Sequence, residues 1–124
     1  MCKLLMSINP EHVQNIMSGE KRYEFRKTKC KEAVDTILIY STYPVMKIVG
    51  EVEVKGIIEG PPNAVWQKTA VAAGIDKSYF DKYYSGKKSA VGYVLGRVHQ
   101  FKRPRTLSDY GIKTAPQSYI YIRN

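Results

Sequence analysis

Two long stretches of the chain constrain the fold more than anything else in it. Residues 47–58 and 89–101 both read as strands, and each is interrupted by two glycines: Gly50 and Gly56 in the first, Gly92 and Gly96 in the second. Strands of that length twist, and glycine inside a strand marks a bulge, a sharp bend or a close backbone approach. Buried parallel sheets instead read as uninterrupted apolar runs joined by helices. The expectation is therefore a small, strongly bent, mixed or antiparallel sheet.

The rest of the chain supplies short strands and helices to complete it. Residues 3–8 and the run Thr36-Ile37-Leu38-Ile39-Tyr40 read as buried strands. Asn9-Pro10-Glu11 has the form of a helix start: a capping side chain, proline at the first position and an acid near the positive helix end. Val13, Ile16 and Met17 then recur at helical spacing and Gly19 closes the helix. Residues 22–27 alternate, with Arg22, Glu24 and Arg26 on one side and Tyr23 and Phe25 on the other, as a strand does. Residues 63–73 read as a helix anchored by Trp66. A second helix follows, capped by Asp76 and carrying Tyr79, Phe80, Tyr83 and Tyr84 as core-type aromatics. Lys102-Arg103-Pro104-Arg105 reads as a basic turn, residues 107–111 as a short helical turn, and residues 118–122 as a closing strand. The whole, residues 1–124, is expected to be one α+β domain: a small bent β-barrel with two or three helices packed around it.

Composition narrows the function classes. No stretch is long and apolar enough for a membrane span or a secretory signal, so a soluble, cytoplasmic protein is expected. The only cysteines, Cys2 and Cys30, and the only histidines, His12 and His99, are scattered, so free thiols and neither a metal nor a cofactor are expected. Twenty Lys and Arg against eleven Asp and Glu give a net charge of +9. That balance favours polyanionic partners through long-range steering and phosphate contacts.

The octapeptide Gly19-Glu20-Lys21-Arg22-Tyr23-Glu24-Phe25-Arg26 carries the pattern G-x-K-x-x-E-x-R across a helix-to-strand turn. With Tyr40-Ser41-Thr42-Tyr43-Pro44, Val49-Gly50-Glu51, Gly74-Ile75 and Ala115-Pro116-Gln117-Ser118-Tyr119 in order behind it, the chain resembles the ASCH family of the PUA-like superfamily over nearly its whole length. The resemblance implies a PUA-like barrel with a basic cleft between barrel and helices. It also implies a role in binding RNA or in RNA metabolism, with small amidohydrolases acting on acylated cytidine and a ribonuclease among the members.

The candidate site follows from that motif. Arg26 can clamp a phosphate or base edge through two parallel hydrogen bonds, and Lys21 supplies a point charge. Glu24 can accept from an exocyclic amine, hold Arg26, or act as a general base. Taken alone, Glu24 and Arg26 read as an exposed pair on a solvated strand, which contributes little; the resemblance is what moves them into a cleft. Tyr40, Ser41, Thr42 and Tyr43, with Gln117 and Ser118, complete the expected ligand contacts as stacking and hydrogen-bonding groups. His12 is read as decorating the first helix. The amidohydrolase members pair the motif lysine with a threonine nucleophile and a later glutamate; here Glu24 stands at the threonine position and Gln67-Lys68-Thr69 offers no acid. The leading expectation is thus binding of nucleic acid, RNA ahead of DNA, or of a nucleotide. The alternative is a hydrolase using the same cleft, with Lys21 and Glu24 as its working residues, and a third reading is a nucleotide-sensing module.

Overall fold

The structure, a computed structural model, describes residues 2–123. Six strands and three helices follow one another as β1 (Cys2–Ile8), α1 (Pro10–Ser18), β2 (Tyr23–Arg26), β3 (Val34–Ser41), β4 (Lys47–Gly60), α2 (Pro62–Thr69), α3 (Lys77–Tyr83), β5 (Ala90–Arg105) and β6 (Tyr119–Ile122). The strands form a single mixed sheet in the order β2-β5-β4-β3-β1-β6. Among the described residues only the β1–β3 pairing is parallel; the other pairings are antiparallel. The sheet curls into a half-barrel. Arg26 on β2, at one end of the order, donates to the carbonyl of Ser7 on β1, near the other end, at 3.0 Å. The curl arises where the glycines stand: the β4–β5 register shifts between Ile48 and Gly50 and again between Val54 and Gly56.

Both faces of the sheet are covered, which explains the continuous apolar runs of β1 and β3. Leu4, Met6 and Ile8 point inward with Ile37, Ile39 and the α1 residues Val13 and Ile16. The intervening Leu5, Leu38 and Tyr40 point outward against Ile48, Phe101 and the C-terminal segment carrying Leu107, Tyr110 and Ile112. A third cluster joins Phe25 of β2 to Val65, Phe80 and Tyr84 of the helices, with Phe80 edge-on to Phe25 at 5.2 Å between ring centres. Leu4, Leu5, Met6, Ile37 and Ile39 are fully buried, each contributing about 1.5–3 kcal/mol.

The helix limits follow local chemistry. The Asn9 side chain accepts from the Glu11 N–H at 2.9 Å, and Gly19 ends α1 with φ at 87°. Asp76 caps α3 by accepting from the Tyr79 N–H. The helix expected over 63–73 stops earlier, at Thr69, and tightens into a 3-10 turn over Ala70–Ala72. The Thr69 hydroxyl bonds back to the Val65 carbonyl at 2.9 Å, which loosens regular helix at that point.

The basic turn expected at 102–105 is not a turn. β5 runs through to Arg105, and the ladder passes from the Gly50–Gln100 pair to the Ile48–Arg105 pair. Residues 101–104 therefore bulge outward opposite Val49. Pro104 is tolerated because a bulged residue makes no ladder bond. No helix among the described residues is long and apolar enough to cross a membrane.

Candidate functional site

The motif residues meet where the half-barrel comes together, between β2 and the end of β1. Gly19 turns the chain out of α1, and the Lys21 N–H bonds to the Asn15 carbonyl at 2.9 Å. Arg22 is tied on both sides, its N–H to the Ala72 carbonyl and its own carbonyl to the Leu95 N–H. The Lys21 side chain then runs inward against Gly74, which has φ at +73° and where an added Cβ would stand 2.4 Å from that of Lys21. Only glycine serves there, for backbone conformation and for space. The Lys21 ammonium donates to the Ala73 carbonyl at 3.0 Å and lies 4.9 Å from the centre of the Phe25 ring.

Glu24 sits between two cations. One carboxylate oxygen faces the Lys21 ammonium at 4.0 Å. The other accepts from Arg26 twice, from Nη2 at 2.8 Å and Nε at 3.1 Å. Lys21 is 3% exposed and Glu24 5% exposed, so this is a buried triad rather than a solvated surface pair. Arg26 also donates to the Ser118 hydroxyl at 3.2 Å and to the Ser7 carbonyl. One guanidinium thus holds Glu24 and pins β2 to the β1–β6 side of the seam.

These groups face a cavity of about 180 Å³ whose wall is completed by Ile8, His12, Ile75, Tyr79 and Tyr83. His12 meets the Tyr79 hydroxyl through Nε2 at 3.2 Å, with the rings edge-on at 5.4 Å. Its Nδ1 is buried with no hydrogen-bond partner among the described residues. Burial, then the Lys21 charge, holds the His12 pKa below its ordinary value, against the opposing pull of Glu24 and Glu11. Burial likewise lowers Lys21, partly countered by Glu24, and raises the Tyr83 phenol. Lys27 stands over the Tyr83 ring at 4.7 Å, at the cleft's edge.

Not all the expected contacts gather here. Lys21, Glu24, Arg26 and Ser118 come together, while Arg22 turns away to bond the Leu95 carbonyl. Tyr40 is buried on the outer face with Leu5 and Phe101, so its expected place among the ligand contacts is corrected: it is a core residue. Ser41 is buried beside Ile8. Thr42 bonds the Ile8 carbonyl through its N–H, at the cleft's rim, and Tyr43 projects beyond it, exposed. Gln117 is exposed, next to the Ser118 that Arg26 holds. Conversely, Tyr79 and Tyr83, read as core, and His12, read as decoration, line the cavity. Their helical spacing is the same for a core stripe and a cleft wall, so only the docking of α3 against α1 and β2 separates the two. Neither threonine nor a second carboxylate lines the cavity among the described residues; the Ser7 hydroxyl is committed to the Pro116 carbonyl at 2.6 Å. No cluster of three or more metal-ligating side chains occurs among the described residues.

The ASCH domain family model matches residues 6–102, and the chain belongs to that family. It is 31% identical over 124 residues to an ASCH domain-containing ribonuclease from Zymomonas mobilis, covering 96% of this chain and 83% of that protein. It is also 29% identical over 121 residues to the large ribosomal subunit protein uL22 of Ureaplasma parvum; that match covers 97% of this chain but only 39% of uL22. The crystal structure of ASCH from Zymomonas mobilis superposes with a TM-score of 0.89 at 27% identity, over 98% of this chain and 88% of that one.

Proposed function

We propose that this protein binds RNA by seating one nucleotide in the Lys21–Glu24–Arg26 cleft. The observation that carries the reading is the buried triad opening onto a cavity. At 4.0 Å and an effective dielectric near 20, the Lys21–Glu24 attraction is about 4 kcal/mol. Removing each ion from water costs several kcal/mol, so the triad contributes little net stability. A buried lysine whose pKa is lowered by burial, set beside a buried carboxylate and facing a cleft, points instead to a working site. The excess of one positive charge suits a phosphate, and the Glu24 carboxylate suits an exocyclic amine. Tyr79, Tyr83 and His12 provide flat faces for a base. The volume, about 180 Å³, is below the roughly 300 Å³ at which pockets for larger ligands begin, and fits one ring system rather than a duplex. Membership of the ASCH family and likeness to a protein named as a ribonuclease favour RNA over other polyanions.

The test is an NMR titration of the labelled protein with the four nucleoside monophosphates. Shifts confined to Lys21, Glu24, Arg26, His12 and Tyr79 support the reading; shifts scattered over surface lysines remove it.

RNA cleavage in the same cleft is a second reading, favoured by the Zymomonas mobilis ribonuclease. His12, kept neutral, then supplies the proton-accepting nitrogen, and a labelled RNA hairpin is cut by wild type and spared by His12→Gln. The amidohydrolase reading lacks its threonine here, since among the described residues the cavity wall holds none.

A further inference from the structure

Beyond the cleft's rim the chain makes a bare hairpin tip between β3 and β4. Tyr43 is 79% exposed, and Val45 and Met46 are exposed beside it. Large apolar side chains gathered on a surface mark a contact site more often than chance. Cations frame this tip. Lys47 pairs with Ser41 at the base of the hairpin. Across the next ladder Arg105 pairs with Ile48, and the bulge before it carries Lys102 and Arg103 outward. Among the described residues none of these four cations forms a salt bridge, whereas Lys3, Lys77 and Arg123 each hold a carboxylate. Arg105 is held in place, its guanidinium 3.8 Å from the centre of the Phe101 ring and donating to the Tyr110 hydroxyl at 2.6 Å.

The tip is continuous with the cleft. Ser41 lies beside Ile8 in the parallel ladder, the Thr42 N–H bonds the Ile8 carbonyl at 3.0 Å, and Ile8 lines the cavity. Lys47 is therefore two strand spacings, about 10 Å, from the cavity wall. A solvated aromatic with unpaired cations around it, adjoining a cavity that fits one ring system, is the arrangement that tracks a single strand. A duplex, whose bases are stacked inward, would leave Tyr43 without a partner.

We propose that the β3–β4 tip and the β5 bulge form a second contact surface, on which a single-stranded RNA lays the nucleotides flanking the one in the cleft. Tyr43 stacks a flanking base, and Lys47, Lys102 and Arg103 take the phosphates. This rests on the RNA reading of the cleft and adds to it the substrate class: unpaired RNA several nucleotides long.

The experiment is an anisotropy titration of a mixed-sequence single-stranded RNA octamer, with nucleoside monophosphate binding followed by NMR on the same variants. Tyr43→Ala is expected to weaken octamer binding about tenfold, within the range for one stacked base, and Tyr43→Trp to retain it. Lys102→Ala/Arg103→Ala is expected to lower the slope of log K against log salt by about 1.4, two single-strand phosphates at roughly 0.7 each. Neither should change the monophosphate shifts at the cleft. All these side chains are exposed, so the variants should stay folded, which the same NMR spectra report. If both tip variants bind the octamer as wild type does while Lys21→Met loses it, the proposal is wrong and the tip is left to a protein partner. If Lys21→Met also binds as wild type, the cleft reading itself has failed.

Discussion

Glu24 is the residue whose removal should cost most. Its carboxylate faces both Lys21 and Arg26, and taking one member from a buried ion group leaves an uncompensated charge, typically a loss of about 3–5 kcal/mol. Glu24→Gln is expected to lower the urea-unfolding free energy by about 3 kcal/mol. Lys21→Met should cost less, because Arg26 keeps both bonds to Glu24; equal losses would show that the Arg26 bonds do not sustain the buried Glu24 charge without Lys21. His12 makes a pH prediction. It is held below its ordinary 6.5 by burial and by Lys21, with Arg26 acting the same way and Glu24 and Glu11 opposing; Asp76 and Tyr79 face it from α3. As pH falls, the unfolded chain takes up this proton first. The stabilising contribution is thus full above 6.5 and is lost as pH drops through the lowered folded value. Wild type should lose more stability between pH 7.5 and 5.5 than His12→Gln does, measured by urea unfolding at both. At this scale the sequence was half legible. Lys21, Glu24 and Arg26 carry a motif spacing, whereas His12 and Tyr79 are brought together from positions sixty-seven apart by helix docking that no local pattern encodes.

Elements were easier to read than side-chain destinations. Caps, glycine stops and alternation placed β1, α1, β2 and the Asp76-capped α3 close to where they lie, because each is decided by neighbours in sequence. Two readings failed for non-local reasons. Arg105 reaches its strand only through pairing with Ile48 across the bulge, and Tyr40 is buried by a C-terminal segment far along the chain. The turn entering the site gives a sharp comparison between two glycines of the same backbone type. Gly19, with φ at +87°, has open space around it, while Gly74, with φ at +73°, abuts Lys21. Gly19→Ala should cost about 1–2 kcal/mol, the left-handed penalty alone. Gly74→Ala should cost clearly more and also weaken nucleotide binding, since Lys21 must move. Thermal melts and a monophosphate titration of both variants decide this; equal destabilisation would mean that Gly74 does not hold Lys21 in place.

For the molecule as a whole, the net charge of +9 guarantees some attraction to any polyanion, so RNA binding by itself proves little. The claim is that one cleft supplies recognition over that background. It is tested most directly by titrating a short single-stranded RNA against wild type, Lys21→Met and Lys88→Met at two salt concentrations. Both variants remove one positive charge, but Lys21 is buried at the cleft while Lys88 is exposed on the loop after α3. The account predicts at least a tenfold loss for Lys21→Met that persists at high salt, and for Lys88→Met only the small, salt-dependent loss of one phosphate contact. Equal, salt-sensitive losses in the two variants would contradict it, and would mean that the protein's charge, and not the cleft at its seam, holds the RNA.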